Sequence, residues 1–469
     1  MKSQQHLWLV SSSGREHAFP ALQSHTFEFP LKSFWRNLVF LAAVAGAAML
    51  LGGEVLRTAY VAILGQSVEV TTLRNALALD PANPELHYRL GTILCNSLAA
   101  ADRTEGLKHL RQATELNPHA ARYWSDIAWA CELTGDTACA TNAVGRAVAL
   151  SPATPQWHWV AANTFLRLGR SDAALTEFHR VLELDPSYGA ATFQVCLGTL
   201  GDPELIFRQV LPTQKDPQLK LAFLNFLSEH ELWDLAHQVW LKTREAGVPF
   251  SFPLAEPYLD KLLQIGHIDE AQGVWRDLQA LGVVSRTPAG EQDNLVFNGD
   301  FEQTPLDGGL DWRHEADPYI ALDFADESAH AGRRCLRIDY TVGRNEEHAP
   351  VYQWVPVAPN QAYRLTAYVR SQDITSDSGP RLRLTDPLHP DSATALSEAT
   401  VGTTPWRQLG LDFCTGPETR LVQLSIIRLR SRSFPSEITG SFWLDNVILK
   451  RSGPANPSAC PALDHGPRT

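Results

Sequence analysis

The sequence predicts a multidomain chain: an N-terminal transmembrane helix, an all-α helical solenoid and a C-terminal all-β sandwich. Three observations carry this. An uncharged run covers Asn37 to Gly53; a Leu-Asp/Asn/Ser-Pro phrase recurs at Pro81, Pro118, Pro152 and Pro186, with spacings of 37, 34 and 34; and beyond residue 293 the apolar period changes from helical to alternating. A chain of 469 residues with 44% apolar and 20% charged residues has room for two or three folded domains.

Residues 1–31 show no periodicity and read as a flexible cytoplasmic tail. Lys32 and Arg36 then precede 17 uncharged residues, the low end of what crosses a bilayer, so 32–56 is expected to be a single-pass signal anchor. Basic residues on its N-terminal side keep that side cytoplasmic. On the assumption of a bacterial cell, the chain sits in the inner membrane with everything after the anchor periplasmic or extracellular. A cleaved signal peptide ending near Ala45-Gly46-Ala47 and a buried soluble helix are the alternatives.

Residues 67–282 are expected to form the solenoid, clear over 73–186 and degenerate over 187–282. In the unit ending at Pro152, Trp124, Ile127 and Ala128 share one helical face, Gly135 breaks the helix, and Ala140, Val144 and Ala147 line a second. Ala161, Ala162, Phe165, Gly169, Ala174, Phe178 and Val181 repeat the pattern before Pro186. Asn83-Pro84 and Thr154-Pro155 supply an N-cap followed by proline at the first helical position. The unit after Pro81 has three extra residues around Leu98–Asp102, which imply a longer inter-helix turn, and Gly106 where alanine is usual. Later, Ala236 and Ala271 lie 35 apart, each followed four residues on by Trp, so two more helix pairs follow. The spacing and its small/aromatic/Pro order resemble the tetratricopeptide repeat family, which implies a groove for a protein partner.

Residues 283–293 are polar, broken by Gly and Pro, and read as a linker. From 294 to 450, Cys335–Tyr340, Tyr363–Val369, Arg381–Leu384, Leu409–Phe413, Leu421–Leu429 and Phe442–Leu449 alternate as strands with one buried face. A β-sandwich is therefore expected, with 451–469 as a disordered tail. Asn298-Gly299-Asp300-Phe301-Glu302 at the start, Trp312, Ala331-Gly332-Arg333-Arg334-Cys335-Leu336 and the closing Phe442-Trp443-Leu444-Asp445-Asn446-Val447 resemble the galactose-binding-like jelly rolls, in particular the carbohydrate-binding modules attached to glycosidases. That resemblance implies a structural calcium ion, with Glu302, Asp445 and the backbone at Gly332 as ligands. It also implies glycan binding on a polar strand face, for which Trp354, Tyr368, Arg370, Arg383 and Arg428 are the candidates.

Net charge is −12 with no long Lys/Arg cluster, so no nucleic-acid partner is expected. The seven cysteines form no CxxC pair. Cys131 and Cys139 flank the turn at Gly135, where a disulfide and a pair of small core residues are both open readings. No GxSxG, HExxH, phosphate-loop or GxGxxG motif stands in the chain, so it is read as non-catalytic with no required cofactor. The resulting expectation is a membrane-anchored scaffold with a protein partner in its repeats and a glycan- or envelope-docking sandwich, in surface polysaccharide assembly or export. The alternatives are a carbohydrate-recognition protein whose repeats act as stalk or oligomerisation unit, and an accessory subunit of a separate hydrolase.

Overall fold

A computed structural model describes residues 34–212, 217–286, 293–390 and 394–455. The chain forms two compact units, one reaching Asp136 and the other starting at Thr137.

The first unit begins with α1 (Phe34–Leu64), followed by α2 (Val70–Leu79), α3 (Pro84–Cys95), α4 (Ala100–Leu116) and α5 (Ala121–Leu133). α1 runs past the expected anchor boundary at residue 56. It is long and apolar enough to cross a membrane. Its last turn changes character: Val61 and Leu64 pack with Leu73, Leu77, Leu86 and Leu90 of α2 and α3. Asn83 caps α3 as expected, accepting hydrogen bonds from the amides of Glu85 and Leu86, with Pro84 in the first helical turn. The extra residues before Asp102 are absorbed mainly by α4, which has 17 residues, and leave only a short turn. Gly106 has a packing reason: a Cβ there would lie 2.7 Å from Cys95 Sγ and 2.8 Å from the Gly91 carbonyl oxygen, so α3 and α4 meet nearly backbone to backbone.

The second unit contains α6 (Thr137–Leu150), α7 (Pro155–Arg167), α8 (Ser171–Leu184), α9 (Gly189–Leu200) and the short α10 (Pro203–Leu205) running into a π turn. It continues with α11 (Gln218–Glu229), α12 (Trp233–Ala246), α13 (Phe252–Gln264) and α14 (Ile268–Ala280). Thr154 holds the N-cap position of α7, but its side chain makes no capping hydrogen bond, unlike Asn83. Ala236, Trp240, Ala271 and Trp275 are all buried, which explains why their 35-residue spacing survives where the rest of the pattern fades.

The strands are β1 (Arg313–His314), β2 (Ile320–Asp326), β3 (Cys335–Arg344), β4 (His348–Pro356), β5 (Gln361–Ile374), β6 (Arg381–Thr385), β7 (Thr394–Leu396), β8 (Gly402–Cys414), β9 (Leu421–Arg428) and β10 (Ile438–Pro454). Sheet 1 has the order β1-β4-β9-β6-β7 and sheet 2 the order β2-β3-β10-β5-β8. Val351, Leu424 and Leu384 of sheet 1 share one core with Leu336, Val369 and Leu444 of sheet 2. Residues 451–454, expected in the tail, extend β10 and pair with β5. The linker lies largely outside the described residues, as do residues 456–469.

The sandwich is seated on the last helix pair by a buried ion pair. Arg313 at the start of β1 donates from Nη1 and Nη2 to the two carboxylate oxygens of Asp260 on α13, each at 2.6 Å. Burial disfavours the guanidinium charge, but the Asp260 hydrogen bond and charge outweigh it and raise the Arg313 pKa. The amide of Gly309 donates to Asp260 at 2.9 Å, and the Gly309 carbonyl accepts from Arg313 at 2.9 Å. A Cβ at Gly309, where φ is +60°, would meet Trp275 at 2.7 Å and Leu259 at 2.9 Å. Trp275 in turn packs edge-on to Phe297, with ring centroids 5.1 Å apart. The Arg420–Asp269 pair at 3.0 Å is well exposed and contributes little.

Removing one partner of a buried pair strands the other charge. Asp260→Ala is therefore expected to cost about 3–5 kcal/mol and to split thermal unfolding into separate helical and β transitions by calorimetry, whereas Arg420→Ala leaves a single profile.

A second expectation concerns pH. Burial raises the Asp311 carboxyl to about 6, against the amides of Leu306 and Trp312 that donate to it. Its folded pKa lies above the unfolded one, so its contribution to stability is greatest below pH 4 and falls as pH rises to about 6. Asp311→Asn, compared with the parent in unfolding scans from pH 4 to 7, should remove that slope.

Candidate functional site

In the first unit, α3 and α5 are joined by a polar and aromatic cluster. Tyr88 and Tyr123 stack with centroids 4.6 Å apart, and the Arg122 guanidinium lies 5.0 Å and 5.1 Å from their ring centres. Glu85 accepts from Arg122, from Arg89 at 3.3 Å and from the Tyr123 hydroxyl at 3.0 Å. Burial raises the pKa of Asp126, and burial with the Asp126 contact pushes the Tyr88 phenol to about 12. These groups satisfy one another, so the cluster works first as a staple between neighbouring repeats.

In the second unit, α12 and α14 border an open groove of about 1140 Å³. Trp233, His237 and Arg244 line one side and Glu270 and Asp277 the other. Glu270 accepts from the Tyr258 hydroxyl at 2.6 Å and pairs with His237 Nδ1 at 2.9 Å and His267 Nδ1 at 3.5 Å. Asp277 accepts from Trp240 Nε1 at 3.0 Å and Arg244 at 3.2 Å. The groove thus offers indole and imidazole rings beside held charges, a surface suited to a peptide segment. The 35-residue Ala/Trp spacing located its helices, but the convergence of His237 and His267 on Glu270 needs the helix packing to be seen.

The five residues expected to bind glycan do not form one site. Trp354 and Arg383 alternate with core residues of β4 and β6 and lie on the outer face of sheet 1. Tyr368 and Arg370 alternate with Ala367 and Val369 on the outer face of sheet 2, on the other side of the sandwich. Arg428 is fully buried and is corrected to a structural role. It donates to the carbonyls of Glu346 at 2.8 Å, Ser436 at 2.5 Å and Ser378 at 3.3 Å, tying three loops together. Trp354 is partly engaged as well: the Arg313 guanidinium lies 4.5 Å from its ring centre, so it backs the junction with α13. On sheet 2, Tyr368 stacks on His330 with centroids 3.6 Å apart, Trp406 stands edge-on to His330, and Arg370 lies 4.6 Å from the Trp443 ring centre.

The three residues expected at a calcium ion do come together, around the loop 330–334. Asp445 accepts from the amides of His330 at 2.8 Å, Ala331 at 3.1 Å and Asn446 at 2.7 Å. Glu302 accepts from the amides of Arg333 and Arg334, and Gly332, at φ +73°, leaves room for its carboxylate. The lone pairs face N–H protons, and burial raises the Asp445 pKa against the lowering pull of those amides. Among the described residues no group of three or more His, Cys, Asp or Glu is placed to hold a metal. This donor set fits an amide clamp and does not fit a hard-oxygen shell. Adding calcium or a chelator is accordingly expected to leave the melting temperature unchanged, while Glu302→Gln lowers stability by about 1.5–3 kcal/mol. A rise of several degrees with calcium would restore the cation.

Cys131, Cys139 and Cys414 are disulfide-bonded, while Cys95, Cys196 and Cys335 are buried free thiols.

Residues 95–156 and 135–189 each match the tetratricopeptide repeat family. These are tetratricopeptide repeats. Repeats of this kind are protein-interaction elements, since stacked helix pairs present extended surfaces. Among solved structures, the crystal structure of MamA is 17% identical over 28% of this chain and 77% of that one, with a TM-score of 0.25. MamA from residue 41 to its end, from Desulfovibrio magneticus RS-1, is 24% identical over 25% of this chain and 65% of that one, with a TM-score of 0.23. A further MamA structure is 13% identical over 47% and 87% of the two chains, with a TM-score of 0.23. No curated protein sequence matches the chain.

Proposed function

We propose that the protein is a non-catalytic scaffold anchored in the bacterial inner membrane. In this reading α1 crosses the bilayer once with its N-terminal side cytoplasmic, the repeats hold a protein partner, and the sandwich docks glycan or another envelope component during surface polysaccharide assembly or export. The repeat match carries the partner-binding part. The anchor is supported by the exposure of Val39, Leu41, Met49, Leu50 and Leu51 on α1, a face that water would not stabilise. The groove between α12 and α14 is the place proposed for the partner segment.

A photo-crosslinking residue in place of His237, in the full chain in its native membranes, is expected to give one discrete adduct that Trp233→Ala and Arg244→Ala abolish. The chain should remain in the membrane after alkaline extraction. An adduct indifferent to both substitutions would remove the groove from the proposal, and release by alkali would remove the anchor.

The second reading is a carbohydrate-recognition protein whose repeats act as stalk. It is favoured by the rings and arginines that both outer faces of the sandwich present: Trp354 and Arg383 on one, Tyr368, Trp406 and Arg370 on the other.

A further inference from the structure

The outer face of sheet 1 carries a cross-strand row in which Arg313, Tyr352, Ser425 and Arg383 are successive register partners on β1, β4, β9 and β6. Arg381 lies two residues from Arg383 on the same face, because Leu382 and Leu384 between and beyond them enter the core. Solvated arginines on a strand would keep their nitrogens in water. Here Nε of Arg381, Nε of Arg383 and Oγ of Ser425 are all sealed from solvent and have no hydrogen-bond partner, and Ser425 is completely buried.

All three atoms can donate, and guanidinium groups cannot accept. The carboxylate paired with Arg383 is Glu347, at 3.5 Å and half exposed, and no ion pair holds Arg381 among the described residues. The patch therefore carries excess positive charge in a chain whose net charge is −12. An acceptor-only, negatively charged and planar group suits it, and the guanidinium fork matches a carboxylate in two bonds at once. The neighbouring groups narrow the ligand further. Tyr352 adjoins Ser425 in register and Trp354 adjoins Gln423, so rings that can cover the apolar faces of pyranoses stand beside the donors. Gln423 accepts from Trp354 Nε1 at 3.2 Å through its carbonyl oxygen, which leaves its NH2 for a sugar hydroxyl.

We propose that this face binds an acidic polysaccharide, with Arg381, Arg383 and Ser425 receiving the carboxylate of a uronic acid unit and Tyr352 and Trp354 flanking its ring. The proposal rests on the carbohydrate-recognition reading and names its ligand class and its face.

The test uses the full chain in detergent over immobilised polygalacturonate, neutral dextran and poly-glutamate, by biolayer interferometry at 50 and 300 mM NaCl. Binding to polygalacturonate is expected, at least tenfold tighter than to dextran or poly-glutamate and weaker at the higher salt. Arg381→Ala and Arg383→Ala should each weaken it tenfold or more. Arg383→Lys keeps the charge and removes the fork, so it should weaken binding several-fold with an unchanged melting profile. Absence of polygalacturonate binding, equal binding to poly-glutamate, or indifference to Arg383→Lys and both alanine variants would overturn the proposal. Dextran binding lost in Tyr368→Ala but kept in Arg383→Ala would do so too, while leaving carbohydrate recognition in place on sheet 2.

Discussion

The bidentate pair between Arg313 and Asp260 is the contact on which the second unit depends. It joins the first strand of sheet 1 to α13 with both charges largely removed from water, and such a pair is tolerated only when its remaining hydrogen bonds are met. Gly309 meets part of them by donating to Asp260 and accepting from Arg313, while Arg313 Nε is left without an acceptor. Trp354 closes the other side of the guanidinium. The end of a helical stack exposes an apolar face that must be covered, and Trp275 against Phe297 shows that the sandwich covers it here. The β domain is thus held in a defined place against the final repeat.

That seating changes the meaning of residues on sheet 1. An aromatic on a strand face is equally suited to a sugar, a core or a neighbouring domain, because all three reward burial of a flat ring. Trp354 serves the neighbouring domain in part, and Arg428 serves the loops. The sheet face left over, around Arg381, Arg383 and Ser425, holds a group of buried donors without acceptors, and Arg313 Nε and Trp443 Nε1 are single cases elsewhere. On sheet 2 the same residue types are arranged differently, with His330 already stacked on Tyr368.

α1 follows a similar logic in the first unit. Its apolar residues up to Gly53 face outward, while Val61 joins the core of α2 and α3. One continuous helix therefore serves two environments. Arg57 marks the change by pairing with Glu54 and donating to the carbonyl of Leu79 at 2.7 Å.

Helix pairs, their breaks at Gly135 and Gly169, and six of the ten strands among the described residues were legible in the sequence, because period, proline and glycine are local constraints that the backbone obeys wherever the chain goes. β2 had the same alternation in Ile320, Leu322 and Phe324 and could have been read; β4 carries Pro350 and Gln353, which blur its pattern. The convergence of Glu302, Gly332 and Asp445 was also legible as a neighbourhood, though the protons that fill it were not. Which face each arginine takes, and whether a carboxylate meets an amide or an ion, depends on register and on contacts across long sequence separations. Strand alternation puts Arg370, Arg383 and Arg428 on strand faces without saying which faces are shared. Only the pairing of strands and the seating of the sandwich on α13 decided that one is buried, one faces sheet 2's exterior, and one stands beside unmatched donors on sheet 1.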